Sequence, residues 1–419
     1  MNFYTLLVYI LTFIGFFAAS FYVINLFYHK KQERNPSEKQ LKVSIIIPAY
    51  NEEKTIVSTI KSALSIDYPK NLFEIIVVND GSSDKTYALA KKFASSVSPK
   101  IRIFTKSNGG KGSALNLGIK HASGEIIITM DADTFVSSDS VGKMMSYFYS
   151  KDVMSVTPSM GVYKPETIWQ RVQQIEYYLG VFLRKSFSTL NAIHVTPGAF
   201  SAYRKEFFEK YGGYDENNVT EDLEIALRIQ SKGFIIENAA EAAIYTRSPR
   251  SFKTLLVQRR RWYAGLARNL WNYRHLFGFK RGPLGYLVLP LAVIAIFSSM
   301  FLTTYTLFRT MDNLHHDLNS LMTINFQFYN NFELNSFIVQ RFILNLFSQP
   351  VFVMTFLLLI VLGFYLAFAR RKMKFTESLK WSYIIFVVFY SILFTIWWAV
   401  SWIYVIFNKK VVWREHAKE

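Results

Sequence analysis

The chain has 419 residues, 51% of them hydrophobic and 17% aromatic, and a formal net charge of +18. It contains no cysteine, which excludes disulfides, thiolate-bound zinc and a thiol nucleophile and leaves any metal to oxygen or imidazole ligands. The positive excess clusters beside apolar runs, at Lys30, Lys31, Arg34, Lys280, Arg281, Arg370, Arg371, Lys372 and Lys374, so a membrane surface accounts for it and no nucleic-acid partner is expected.

Residues 3–27 form an uncharged run of roughly 25, longer than the ~20 that cross a bilayer core. No basic segment precedes the run and Lys30-Lys31 follows it, which predicts a spanning helix rather than a cleaved signal. The stretch that follows, to Arg281, reads as water-soluble. Residues 42–48 (KVSIIIP) predict a strand, followed by a helix that Asn51 caps and whose first turn carries Glu52 and Glu53. A second strand at 74–78 ends in the turn cluster Asn79-Asp80-Gly81-Ser82-Ser83-Asp84, which starts a helix at Lys85. A third strand at 101–105 leads through a loop with Gly109, Gly110 and Gly112 to a helix over 113–121. A fourth strand, 125–130, then runs into Asp131-Ala132-Asp133.

This alternation predicts an α/β fold, a largely parallel sheet with helices on both faces. Ligands bind such sheets at the carboxyl ends of the strands, where Asn51, Asp80, Lys106, Asp131 and Asp133 all fall. If extended geometry persists, Asp131 and Asp133 point the same way, and two hard carboxylates suit Mg²⁺ or Mn²⁺ with a bridging diphosphate. Asp80 can accept a nucleobase N–H or a ribose hydroxyl, while Asp84 reads as a helix cap. Lys111 lies in a glycine-rich loop that permits close backbone approach, and its cation can meet phosphate. Its surroundings do not have the spacing of a triphosphatase phosphate loop.

Thr220-Glu221-Asp222 precedes a helix over 223–230, where a cap and two acids suit the helix dipole. The same position allows Asp222 to act as a general base toward an acceptor hydroxyl, and spacing alone does not choose between the two. Gln258-Arg259-Arg260-Arg261-Trp262 sits in a basic amphipathic stretch, 252–273, expected to lie in a membrane interface. The arginines can meet lipid headgroups or a leaving diphosphate, and only one or two of the three can face a site. Apolar runs at 284–307, 350–369 and 381–407 follow. Counting all three as crossings, with the soluble region inside, leaves Lys409, Lys410 and Arg414 outside, against the charge rule. Either 336–347 belongs to another crossing or one later run is re-entrant or interfacial.

Pro48-Ala49-Tyr50-Asn51-Glu52, Asn79-Asp80-Gly81-Ser82, Asp131-Ala132-Asp133, Thr220-Glu221-Asp222 and Gln258-Arg259-Arg260-Arg261-Trp262 occur in an order and spacing that resemble the processive family-2 glycosyltransferases. These are the cellulose, chitin, hyaluronan and poly-N-acetylglucosamine synthases, and the single leading membrane run is most similar to the last. The resemblance covers residues 42–262 and implies a GT-A-type domain in a multi-pass cell-membrane protein, its catalytic domain cytoplasmic. By position, Asn51, Asp80, Lys111 and Asp131 would bind the nucleotide sugar and Asp133 the metal. Asp222 would be the base, and Gln258, Arg261 and Trp262 would grip the diphosphate and the acceptor sugar. Residues 196–200 (TPGAF) fall where the family has an acceptor loop, and Trp413-Arg414 resembles a terminal Trp motif. Asn79 stands where the common form has Asp.

The implied activity is inverting transfer from a UDP-sugar, with UDP-GlcNAc favoured, to a growing β-linked polysaccharide, coupled to export and open to an accessory subunit. The competing readings are transfer of a single sugar to a polyprenyl phosphate and a catalytically inactive nucleotide-sugar-binding regulator. The expected organisation is a membrane helix at 1–29, the transferase domain at 30–250, an interface helix at 251–282 and a membrane region at 283–419.

Overall fold

A computed structural model of the chain describes residues 3–28, 40–97, 101–323, 336–375 and 379–409. Lys30, Lys31, Arg34, Lys410, Trp413 and Arg414 lie outside the described residues.

Helix α1 (Phe3–Tyr28) leads into an α/β domain that opens with β1 (Val43–Ala49), α2 (Ile56–Leu64), β2 (Phe73–Asp80), α3 (Thr86–Val97), β3 (Ile101–Lys106) and α4 (Lys111–His121). Then come β4 (Ile126–Met130), β5 (Thr134–Val136), α5 (Ser140–Met145), β6 (Val153–Val162), α6 (Ile168–Thr189), β7 (Phe200–Arg204), α7 (Lys205–Tyr211), α8 (Glu221–Ser231) and β8 (Ile235–Thr246). Helix α9 (Phe252–Asn272) follows, and the chain continues through α10 (Leu289–Thr323), α11 (Ser336–Phe347), α12 (Pro350–Met373) and α13 (Lys380–Ile406).

The strands form one sheet in the order β3-β2-β1-β4-β7-β6-β8-β5. The four leading strands are parallel, so their carboxyl ends share one edge. Their apolar runs are continuous because both sheet faces are covered. Ile45 and Ile47 enter the core beside α2, while Ile46 enters the opposite core with Ala114 and Leu115 of α4.

The sheet is largely parallel, as expected, with β6 and β8 also paired in parallel, and antiparallel pairs enter only beyond β4. Strand β7 runs antiparallel to both β4 and β6, pairing Met130 with Phe200 and Ile126 with Arg204. The reversal has a direct consequence for the site. The amino end of β7 lies beside the carboxyl end of β4, so residues 196–199 arrive at the edge where the parallel strands end.

Two helix starts differ from expectation. Helix α2 begins at Ile56, and Asn51 does not cap it; the residue sits at φ +54°, a left-handed conformation that asparagine tolerates better than most side chains. Helix α4 begins at Lys111, which places that residue in the first turn rather than in the loop.

Helix α9 packs along α13 and against α8. Its start is capped by Ser251, whose hydroxyl accepts from Thr254 N, and near its end Asn269 bonds Asn218 and Thr220. Leu255 is buried and Leu256, Trp262 and Leu266 are partly buried in a cluster shared with α6, α12 and α13, so this face meets protein. Among the described residues, four helical segments are long and apolar enough to cross a membrane: Phe3–Tyr28, Leu284–Thr323, Pro350–Met373 and Lys380–Ile406. The Ser336–Phe347 helix is too short to cross alone.

Candidate active site

The loops at the carboxyl edge brace one another. Asn51 N–H donates to Ser82 Oγ at 3.0 Å, and Asn51 Oδ1 accepts from Ser83 N at 2.9 Å. Asp84 accepts from Thr86 N at 2.9 Å, as expected of a helix cap. Asp80, only 3% exposed, accepts from Lys106 Nζ and Gly109 N through Oδ1, both at 3.0 Å, and from Gly110 N through Oδ2 at 2.8 Å. Asp80 therefore shapes the glycine loop that leads to Lys111.

Lys111 is the hub of the next cluster. Its ammonium lies 2.7 Å from Asp131 Oδ1 and 3.2 Å from Glu221 Oε1, and it donates to Gly198 O at 3.2 Å. Burial alone would push its pKa down, but the charges of Asp131, Glu221 and Asp222 outweigh that and hold it above the ordinary lysine value.

Asp131 does not continue the strand. Its N–H donates to Ala199 O at 3.0 Å, and its carbonyl accepts from Thr134 N at 3.1 Å, closing a turn over Ala132 and Asp133. The expected extended geometry of the two carboxylates ends there. Asp131 is turned to Lys111, whereas Asp133 Oδ1 accepts from Thr246 Oγ1 at 3.3 Å. Among the described residues, no group of three or more His, Cys, Asp or Glu comes together as a metal cage.

Asp222 occupies the first turn of α8. Its Oδ2 accepts from Gly198 N at 3.0 Å and its Oδ1 from Leu223 N at 2.9 Å, while its own carbonyl accepts from Thr196 Oγ1. Burial, followed by the neighbouring charge of Glu221, lifts its pKa to about 6, against the opposing pull of Lys111 and Arg261. A carboxylate with that affinity is matched to taking a proton near neutral pH. Thr220 caps nothing with its side chain; its hydroxyl donates to Asn218 Oδ1 and accepts from Asn269.

The three arginines of α9 part company. Arg259, 1% exposed, is bound to Glu176 of α6, with N–O distances of 2.7 and 2.8 Å, and lies over the Trp262 ring at 4.4 Å. Arg260 donates to Tyr404 OH of α13. Arg261 turns toward α8, donating to Val219 O at 3.0 Å, and its charge reaches Asp222. The buried Oε1 of Gln258 accepts no hydrogen bond from the described residues. An acceptor left dry in this way is costly unless a ligand supplies a donor.

The structure thus gathers Lys111, Asp131 and Asp222 in one cluster with Arg261 beside it, and brings Asn51 and Asp80 to the same sheet edge. Glu221 was visible in the sequence only as an acid suited to a helix start, and its ion pair with Lys111 has no local signature. Gly198 belongs to the 196–200 loop that the resemblance assigns to the acceptor, but its contacts with Asp222 and Lys111 had no signal in the sequence. A Cβ there would stand 2.6 Å from Asp222 Oδ2 and 2.9 Å from Lys111 Nζ.

This arrangement defines the class: a GT-A-type domain with its charged groups at the carboxyl edge of the sheet, and residues 44–212 match the model described as glycosyl transferase family 2. Among curated proteins, the chain is 31% identical over 237 residues to a poly-beta-1,6-N-acetyl-D-glucosamine synthase of Staphylococcus epidermidis, covering 55% of this chain and 57% of the relative. It is also 31% identical over 239 residues to the enzyme of the same name from Staphylococcus aureus strain COL, covering 57% of each. The chain thus spans little more than half the length of these relatives. A mannosyltransferase from Pyrobaculum calidifontis, solved in complex with GDP-Man and Mn2+, superposes with a TM-score of 0.64 over 96% of this chain and 99% of its own. At 18% identity that likeness carries the fold alone.

Proposed function

We propose that this chain is a membrane-bound, inverting glycosyltransferase that moves a sugar from a UDP-sugar, UDP-GlcNAc first among candidates, to the end of a growing β-linked polysaccharide. The observation that carries the proposal is the position of Asp222, a buried carboxylate that accepts Gly198 N–H at 3.0 Å in the cluster of Lys111, Asp131 and Glu221 at the carboxyl edge of the sheet. The poly-beta-1,6-N-acetyl-D-glucosamine synthase names of the relatives support the polymer product.

In the reaction the acceptor hydroxyl oxygen forms a bond to the anomeric carbon as the bond to the diphosphate oxygen breaks, its electron pair leaving with UDP. Asp222 takes the hydroxyl proton. Lys111 exchanges its carboxylate partners for phosphate oxygens, and Arg261 meets the developing charge. Gln258 Oε1 accepts from the bound substrate, while Asn51 and Asp80 hold the loops that flank the nucleotide. Trp262 lines the acceptor side.

Asp133, with Asp131 once Lys111 has turned to phosphate, would be the donor set for a divalent ion. Their carboxylate oxygens are hard donors, which suits Mg²⁺ or Mn²⁺, ions that can be held by one or two carboxylates together with substrate phosphates. Such an ion supplies positive charge to the leaving diphosphate. Apolar helices anchor the chain in the cell membrane, with the catalytic domain on the cytoplasmic side where the basic clusters lie.

The test is incubation of the purified full chain with single UDP-sugars and Mn²⁺, followed by sizing of the product. A ladder or long polymer from UDP-GlcNAc is expected. A single lipid-linked sugar would replace polymerisation with carrier glycosylation, and no product from any UDP-sugar would overturn the proposal.

A further inference from the structure

Helix α13 has the length and hydropathy of a membrane crossing, 27 residues that rise about 40 Å, but its contacts run in another direction. Helix α9 provides the reference. Just ahead of its start Ser248 O accepts from Gln170 Nε2, near its end Asn269 bonds Asn218 and Thr220, and beyond it Tyr273 OH donates to Glu224. Both ends are fixed to the α/β domain, so α9 lies flat along it.

Helix α13 accompanies α9 in the same direction. Tyr390 OH donates to Glu176 at 3.1 Å, Trp398 stacks on Tyr263 at 4.7 Å, Arg260 donates to Tyr404 OH at 2.8 Å, and Arg268 donates to Lys409 O at 3.0 Å. The approach to α13 is also on the domain side, since Phe375, which follows α12, stacks on Tyr178 of α6 at 4.2 Å.

The other apolar helices behave differently. Near the domain, Asn25 of α1 donates to Thr189, and Leu289 of α10 is buried with Leu223 and Leu227. Far from it, Tyr4 and Tyr305 of the same two helices stack on each other. Helices α1 and α10 therefore leave the domain, and α13 returns to it.

We infer that α13 does not cross the bilayer but lies in the inner leaflet beside α9, leaving α1, α10 and α12 as the crossings and Lys409 on the catalytic side. The inference rests on the proposed cytoplasmic placement of the domain. It removes the charge conflict in the sequence, because three crossings return the chain to the side where basic residues collect. The surface it assigns to lipid is an uncharged stripe, Trp381, Ile384, Val388, Ile396, Ile403 and Ile406, exposed at helical spacing.

The native chain has no cysteine, so each introduced thiol reports one position. Cells expressing full-length Lys409→Cys, Ser95→Cys or Ser320→Cys are treated with a membrane-impermeant maleimide before and after permeabilisation. Ser95 lies on α3 of the catalytic domain, and Ser320 near the far end of α10. Expected is labelling of Ser320→Cys in intact cells, and of Lys409→Cys and Ser95→Cys only after permeabilisation. Labelling of Lys409→Cys together with Ser320→Cys in intact cells would overturn the inference. If Ser95→Cys and Ser320→Cys label alike, the fault lies instead with the membrane placement of the domain. Should Lys409→Cys resist reagent throughout, Arg268→Cys/Lys409→Cys decides. A short bis-maleimide joins them if α13 ends beside α9, and failure to join overturns the inference.

Discussion

The carboxylate of Asp222 accepts the backbone N–H of Gly198 at 3.0 Å, tying the first turn of α8 to the loop that precedes β7. That bond places the proposed base against the carboxyl edge of the sheet, with Lys111 on the same loop through Gly198 O. Each side of this junction makes a separate demand on the protein.

A base with a pKa of about 6 accepts a proton only when ionised, so kcat/KM should fall about tenfold per pH unit below 6 and level off above it. Two substitutions should move that limb in opposite directions. Lys111→Met removes a positive charge that favours the carboxylate and shifts the limb to higher pH. Glu221→Gln removes a negative charge that opposes it and shifts the limb lower. Measured pH profiles of both variants check the signs.

Gly198→Ala should cost about 100-fold in activity while the protein still folds, because its Cβ would meet the Asp222 and Lys111 side-chain ends rather than the core. Gly265→Ala has a different effect. Its Cβ would fall 2.3 Å from Thr220 Oγ1, prising α9 from α8, and overpacking of this kind costs about 1–3 kcal/mol. Melting temperatures and initial rates, measured on both variants, separate the two effects.

The neighbouring arginines should divide stability from catalysis. Arg259→Met leaves Glu176 without its cation beside a buried cluster and should lower stability by about 3 kcal/mol, read as a drop in melting temperature. Arg261→Met should melt near the parent temperature and lose transfer activity, since its cation faces the proposed site.

Much of this site was legible in the sequence for a simple reason. Buried parallel strands require β-branched runs, and the turns that end them require Asn, Asp and Gly, so Asp80 and Asp131 could be placed at strand ends from local pattern. Long-range pairing has no such signal. That β7 lies antiparallel beside β4, bringing Gly198 to Asp222, depends on Met130 meeting Phe200 across a wide gap in the chain. The turn at Asp131 was missed for the same reason, because Ala199 O takes its N–H and Thr134 N closes the bend. The division of the arginines followed from helical spacing in outline. Which arginine faces the site depended on Glu176 and Tyr404, which are distant in sequence.

Asp133→Asn should weaken donor binding only when a divalent ion is present. Calorimetric titration of UDP-GlcNAc with and without Mn²⁺ checks this: the parent should bind more tightly with the ion, and the variant should lose most of that gain. An equal gain in both proteins would remove Asp133 from the metal site.

The most direct measurement of the central claim compares Asp222→Asn with the parent in two assays, UDP-GlcNAc binding by calorimetry and polymer formation. The variant should bind the donor within about threefold of the parent and lose at least about 100-fold in transfer, because only the proton acceptor has been removed. Elongation by Asp222→Asn at the parent rate would contradict the assignment of Asp222 as the base.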